Sequence, residues 1–124
     1  TVIDDCYNAN PMSMKASLEV LSNATGRKVA ILGNMFELGA KEVQLHEEVG
    51  EKAAVLGIDL VICIGSLAKN IANKAKTSDN EVLYYENKED FEKEIKNLIK
   101  KDDTVLVKAS NSMKFKEIVE LLRK

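Results

Sequence analysis

The chain has 124 residues, 45% of them hydrophobic and 31% charged, with a net charge of −2. That is one domain's worth of chain with enough apolar mass for a core, and its charge gives no electrostatic case for nucleic acid or an anionic membrane. No apolar run approaches the roughly 18 residues a membrane span needs, and the polar start does not resemble a signal peptide.

The first strand is expected over Val2 to Asp5, and the opening Thr suggests a fragment whose natural chain begins upstream. Pro11 suits the first turn of a helix with Asn10 as its cap. Met14, Leu18 and Leu21 then recur at i, i+4 and i+7, and Thr25-Gly26 closes the helix. KVAILG, residues 28–33, is a continuous apolar run, the mark of a strand covered on both faces. The loop GNMFELG follows, with Met35 and Phe36 as an apolar lid on the core. A helix is expected from about Lys41 to Leu56, stopped by Gly57.

DLVICIG, residues 59–65, is the clearest buried strand, and Ser66 is placed to cap a helix running to about Lys76. EVLYYE is a shorter strand. After Asn87, a single helix is expected to carry Phe91, Ile95, Leu98 and Ile99 as one stripe. DTVLVK, residues 103–108, is the fifth strand, and the last helix presents Phe115, Ile118, Val119 and Leu122 on one face. Five β-α units with short connections predict an α/β fold: a three-layer, Rossmann-like domain with a mainly parallel sheet and helices on both faces. No repeat, linker or low-complexity segment interrupts it.

Cys6 and Cys63 form no CxxC and no Cys/His cluster, so neither a zinc site nor a catalytic thiol is expected. Both read as buried free thiols in a reducing cytoplasm. His46 stands alone and reads as a helix-surface or interface residue.

Sheets of this class bind ligands beyond the carboxyl ends of their strands. Four loops stand there: DDCYNANP, GNMFELG, GSLAKN and KASNSMK. The first carries Asp4, Asp5, Tyr7, Asn8 and Asn10, more polarity than a capped helix needs. A carboxylate at a strand end can accept ribose hydroxyls, and the asparagines both donate and accept. KASNSMK sets Lys108 at a strand end, with Ser110, Asn111 and Ser112 at an expected helix start, an arrangement suited to a phosphate or carboxylate. The alternative is ordinary capping beside a solvated lysine. Neither GxGxxG nor GxxxxGK[ST] is present, so the main phosphate site of any ATP chemistry lies elsewhere.

The runs DDCYNANPMSMKASLEVL, GRKVAILGNMFELG, HEEVG, GIDLVICIG and DTVLVKASNSMK, in this order across nearly the whole chain, resemble the C-terminal domain of the Mur ligases. Within that family, D-D-x-Y-N-A-N-P is the pattern of members that add D-alanyl-D-alanine to UDP-N-acetylmuramoyl-tripeptide in peptidoglycan precursor synthesis. The resemblance implies a three-domain ATP-dependent amide ligase. Its N-terminal domain holds the UDP-sugar, its central domain carries the P-loop and Mg2+, and this chain closes over ATP as the third. It implies that Asp5 meets the ATP ribose with support from Asp4, and that Tyr7, Asn8 and Asn10 line the nucleotide or acceptor side. Lys108 and Ser110 would stand near the acceptor and phosphates, with Asn34 and His46 also on that side. No catalytic residue is implied within this domain alone. Asn34, Ala109 and Asn111 depart from the Asp, Gly and Arg common in the family. The other readings are a free-standing nucleotide-binding or partner-docking module, and the equivalent domain of a folylpolyglutamate synthase-like ligase.

Overall fold

A computed structural model of the chain describes residues 1–5 and 9–124. Five parallel strands form one sheet: β1 (Val2–Asp4), β2 (Lys28–Gly33), β3 (Leu60–Ile64), β4 (Glu81–Tyr85) and β5 (Thr104–Lys108). Their spatial order is β1-β5-β2-β3-β4, with every pair parallel. The three central strands are the continuous apolar runs. The edges are the short VID and the more polar EVLYY, which are less buried.

Six α-helices are described: α1 (Pro11–Ser22), α2 (Glu42–Leu56), α3 (Lys69–Ala75), α4 (Lys88–Glu92), α5 (Ile95–Leu98) and α6 (Lys116–Leu122). The steps β1→β2, β2→β3 and β3→β4 all cross the sheet in one direction. Right-handed crossovers therefore put α1, α2 and α3 on one face. The step from β4 to β5 runs back across the sheet, so α4 and α5 fall on the other face, with α6 beside them.

Two core layers follow from strand alternation. Ala30, Leu32, Val61, Cys63 and Leu106 face Met14, Leu18, Leu21, Val49 and Ile71. Val29, Ile31, Ile62, Val105 and Val107 face Phe91, Ile95, Phe115 and Ile118. Cys63 is a buried free thiol whose pKa is pushed up by burial. Cys6 lies outside the described residues.

Local expectations held where short-range chemistry decides. Asn10 caps α1 in a capping box: its side chain accepts from Ser13 N–H at 2.9 Å, and Ser13 Oγ accepts from Asn10 N–H at 3.0 Å. Pro11 opens the helix, and Gly57 ends α2 at φ 70°.

Three expectations about helix bounds fail. The single helix after Asn87 is two short ones, α4 and α5. Glu94 lies between them and takes the Tyr85 hydroxyl at 2.5 Å. At the far end Arg27 Nη2 donates to the Leu98 carbonyl at 2.6 Å and pairs bidentately with Asp103, which draws the chain out of helix and into β5. Ser66 caps nothing: α3 starts at Lys69, and it is Asn34 Oδ1 that accepts from Ala68 N–H, at 2.8 Å. Nor does a helix start at Ser110. Asn111–Met113 is a 3-10 turn, and α6 begins only at Lys116.

Candidate functional site

The carboxyl ends of β1, β2 and β5 lie side by side because β5 inserts between the other two. Asp5 N–H donates to the Val107 carbonyl at 3.1 Å, which sets Asp5 beside Lys108 although 103 residues separate them. Lys108 Nζ donates to Asp5 Oδ2 at 2.8 Å, and Ser17 Oγ on α1 donates to the same oxygen at 2.5 Å. Burial alone would raise the Asp5 carboxyl. The hydrogen bonds from Lys108 and Ser17 and the lysine's charge outweigh it and hold the group below its ordinary value.

Lys108 is only 2% exposed, whereas the Asp5 side chain is 42% exposed. Of the two readings of Lys108, an anion-site cation or a solvated lysine, the second fails: the side chain is buried against a carboxylate from the neighbouring edge strand. Burial of an unpartnered ammonium would be prohibitive; burial of a hydrogen-bonded one is tolerated.

The adjacent acids do not form a pair. Period-two alternation sends Asp5 to the α1 face, where Ser17 meets it. Asp4 goes to the opposite face, where its carboxylate stands 4.0 Å from Arg123 just past α6. The two carboxylates thus leave the chain on opposite faces of the sheet. Asn10 is committed to capping through its side-chain oxygen. Tyr7 and Asn8 lie outside the described residues.

The loop after β2 is a hub rather than a slack connection. Asn34 is buried. Its backbone carbonyl accepts from Ser110 N–H at 3.0 Å while its side chain holds the start of α3. Asp would keep that acceptor oxygen, so the family's usual residue and the Asn present here satisfy the same donor. Met35 N–H donates to His46 Nε2 at 3.0 Å, and Phe36 N–H to Ser110 Oγ at 3.0 Å. Three consecutive residues are thereby tied to α3, α2 and the loop after β5. Met35 is buried as expected of a lid residue, but Phe36 is exposed.

His46 is a correction to its surface assignment: it is fully buried. Because Nε2 accepts from Met35, the proton resides on Nδ1, which donates to the Glu42 carbonyl at 2.7 Å. Both ring nitrogens serve the fold and neither points to a ligand. Burial lowers its pKa, against the opposing hydrogen bond and charge of Glu42.

Ser110 is likewise nearly buried and joins the loops after β2 and β5. The N–H groups of Met113 and Lys114 donate to the carbonyls of Ser110 and Asn111, so they are not turned toward an anion. Ser17 was missed from sequence. Its signal was a hydroxyl on the flank of the Met14, Leu18, Leu21 stripe, where a polar residue needs a partner. A cavity of about 470 Å³, lined in part by Val2, Ile99, Lys100, Asp103, Leu121 and Lys124, opens at the opposite, amino end of the sheet. It is remote from this constellation and shares no residue with it.

The family model for the Mur ligase, glutamate ligase domain matches residues 1–111. The chain belongs to this family. A UDP-N-acetylmuramoyl-tripeptide–D-alanyl-D-alanine ligase of Buchnera aphidicola is 39% identical over 126 residues, covering 100% of this chain and 26% of the relative. MurF from Acinetobacter baumannii superposes with a TM-score of 0.86 at 29% identity, over 99% of this chain and 27% of that one. MurF ligase from Thermotoga maritima, in complex with ADP, superposes with a TM-score of 0.79 at 32% identity, over 97% of this chain and 27% of that one. The chain thus spans about a quarter of the length of the relatives it matches. The α/β architecture expected from sequence is that of the Mur ligase domain. In this Mur ligase domain the Asp5–Lys108–Ser17 cluster stands at the carboxyl edge of β1 and β5.

Proposed function

We propose that the chain is the C-terminal domain of a three-domain ligase that joins D-alanyl-D-alanine to UDP-N-acetylmuramoyl-tripeptide in peptidoglycan precursor synthesis. The names of the relatives support this reading, and one observation in the chain carries it: Asp5 stands at a strand's carboxyl end, its side chain 42% exposed, with one oxygen held by two donors and no hydrogen bond to the other among the described residues. A nucleoside's ribose hydroxyls are donors, and an ionised carboxylate is their natural acceptor.

In the reaction, the tripeptide carboxylate takes the γ-phosphoryl group of ATP, releasing ADP. The amine of D-alanyl-D-alanine then attacks the acyl phosphate, and phosphate leaves as the amide forms. This domain contributes orientation and exclusion of water. The exposed apolar side chains Met12, Phe36 and Val43 lie toward the carboxyl edge of the sheet and suit closure against the N-terminal and central domains. Mg2+ and the triphosphate belong, in this reading, to the central domain. Among the described residues of this chain, no group of three or more His, Cys, Asp or Glu could hold a metal ion. Among them, too, no helix is long and apolar enough to cross a membrane. We place the ligase in the cytoplasm, where ATP is supplied.

The test uses the full-length ligase. Product should form with D-alanyl-D-alanine and not with glutamate, and the 124-residue chain alone should show no turnover. Asp5→Ala should raise the KM for ATP about tenfold, the cost of one charge-assisted hydrogen bond. Unchanged kinetics at limiting ATP would refute the ribose assignment.

A further inference from the structure

Asp5 is held asymmetrically. Ser17 Oγ and Lys108 Nζ both donate to Oδ2, at 2.5 and 2.8 Å. Among the described residues, no hydrogen bond to Oδ1 is present, and the side chain is 42% exposed. The two donors differ in kind. The lysine is a long side chain on β5 that is itself buried and brings a positive charge to Oδ2. Ser17 is a short side chain on α1, a helix fixed by its capping box and by the buried Met14, Leu18 and Leu21. A 2.5 Å O–H···O⁻ contact from a rigid helix sets the plane of the carboxylate; a lysine contact sets mainly its charge.

We propose that Ser17 is a positioning residue for nucleotide binding: by anchoring Asp5 Oδ2 to α1, it presents Oδ1 to a ribose hydroxyl of ATP. This rests on the reading of Asp5 as the ribose acceptor. Ser17 touches no nucleotide itself. Without it the carboxylate keeps its charge partner but can rotate about its Cβ–Cγ bond, and each ribose hydrogen bond must first select one orientation. The loss falls on binding rather than on the chemical step.

The experiment compares Ser17→Ala, Ser17→Thr, Ser17→Cys and Asp5→Ala in the full-length ligase, with ATP, 2′-deoxy-ATP and 3′-deoxy-ATP. Ser17→Ala should raise the KM for ATP about three- to tenfold, with kcat within about twofold of the parent. Ser17→Thr, which keeps the hydroxyl, should restore it. Ser17→Cys, of similar size but a weaker donor, should behave like the alanine variant. The deoxy analogue that abolishes the Asp5→Ala penalty should abolish the Ser17→Ala penalty as well.

If Asp5→Ala raises the KM for ATP and Ser17→Ala does not, the positioning role is overturned and the ribose reading stands. If Asp5→Ala leaves the KM unchanged, the ribose reading falls, and this inference with it. A Ser17→Ala defect of equal size with ATP and both analogues, and not restored by Thr, marks a merely structural serine and overturns the proposal. Should the alanine variant not fold, the Thr and Cys pair alone decides: equal KM values for the two overturn it.

Discussion

Replacing His46 with alanine is expected to cost the domain about 2–4 kcal/mol at neutral pH, because the substitution orphans the buried Met35 N–H and leaves the space of an imidazole behind. It is also expected to change the pH dependence of stability. Burial holds the folded-state pKa of His46 below its ordinary value of 6.5. Between those two values the unfolded chain binds more protons than the folded one, so stability rises with pH there. The contribution is complete above about pH 6.5 and is lost as pH falls toward the folded value. Asp5 and Asp103, whose carboxyls are also depressed, act in the same direction but only below their ordinary value of 3.8. Urea unfolding at pH 5, 6, 7 and 8 samples the His46 range and stays above that of the two aspartates. The parent should lose stability between pH 6.5 and 5, and His46→Ala should lose much less. A variant with the parent's slope would show that the imidazole is not the titrating group.

Gly50→Ala tests the packing of α2 on α3, and two principles oppose each other there. Helix propensity alone predicts a gain of up to about 1 kcal/mol for Gly→Ala inside a helix. Sterics predict the reverse. A Cβ at position 50 would lie 2.3 Å from the Ile71 carbonyl oxygen and 3.1 Å from its carbon. These are backbone atoms and cannot swing aside as a side-chain tip would. The helices must separate, which forfeits contacts around the buried Val49, Ala53, Ile71 and Ala75. The net expectation is a loss of about 1–3 kcal/mol for Ala and more for Val. Thermal unfolding of both variants checks it. A Gly50→Ala protein as stable as the parent would mean that the α2–α3 spacing relaxes freely.

His46 and Gly50 also show what was readable in advance. Positions 46, 49, 50 and 53 follow i, i+3, i+4 and i+7, so His46 lies on the same buried stripe as Val49, Gly50 and Ala53. The stripe foretold its burial; what its two nitrogens meet depended on where the loop after β2 runs. The opposite facing of Asp4 and Asp5 was legible too, since adjacent residues in a strand alternate. The polarity of the run concealed that simple rule.

Local chemistry determined much of this molecule. Asn10-Pro11 starts α1, Gly57 stops α2, and KVAILG is a doubly covered strand, because capping, backbone freedom and hydrophobic periodicity act over a few residues. Neither the break between α4 and α5 nor the end of α5 was legible, since the groups that meet them, Tyr85 on β4 and Arg27 just before β2, come from distant parts of the chain. The same holds for the site. In sequence, Lys108 is a lysine ending an apolar run, and its burial looks unfavourable. It becomes intelligible only when β5 inserts between β1 and β2 and brings Asp5 alongside. Strand order is a property of the whole sheet, set by which pairing buries most apolar surface with every backbone group satisfied. It is the tertiary structure that makes an ion pair with a buried lysine, and Ser17 as its third member, from residues 103 apart.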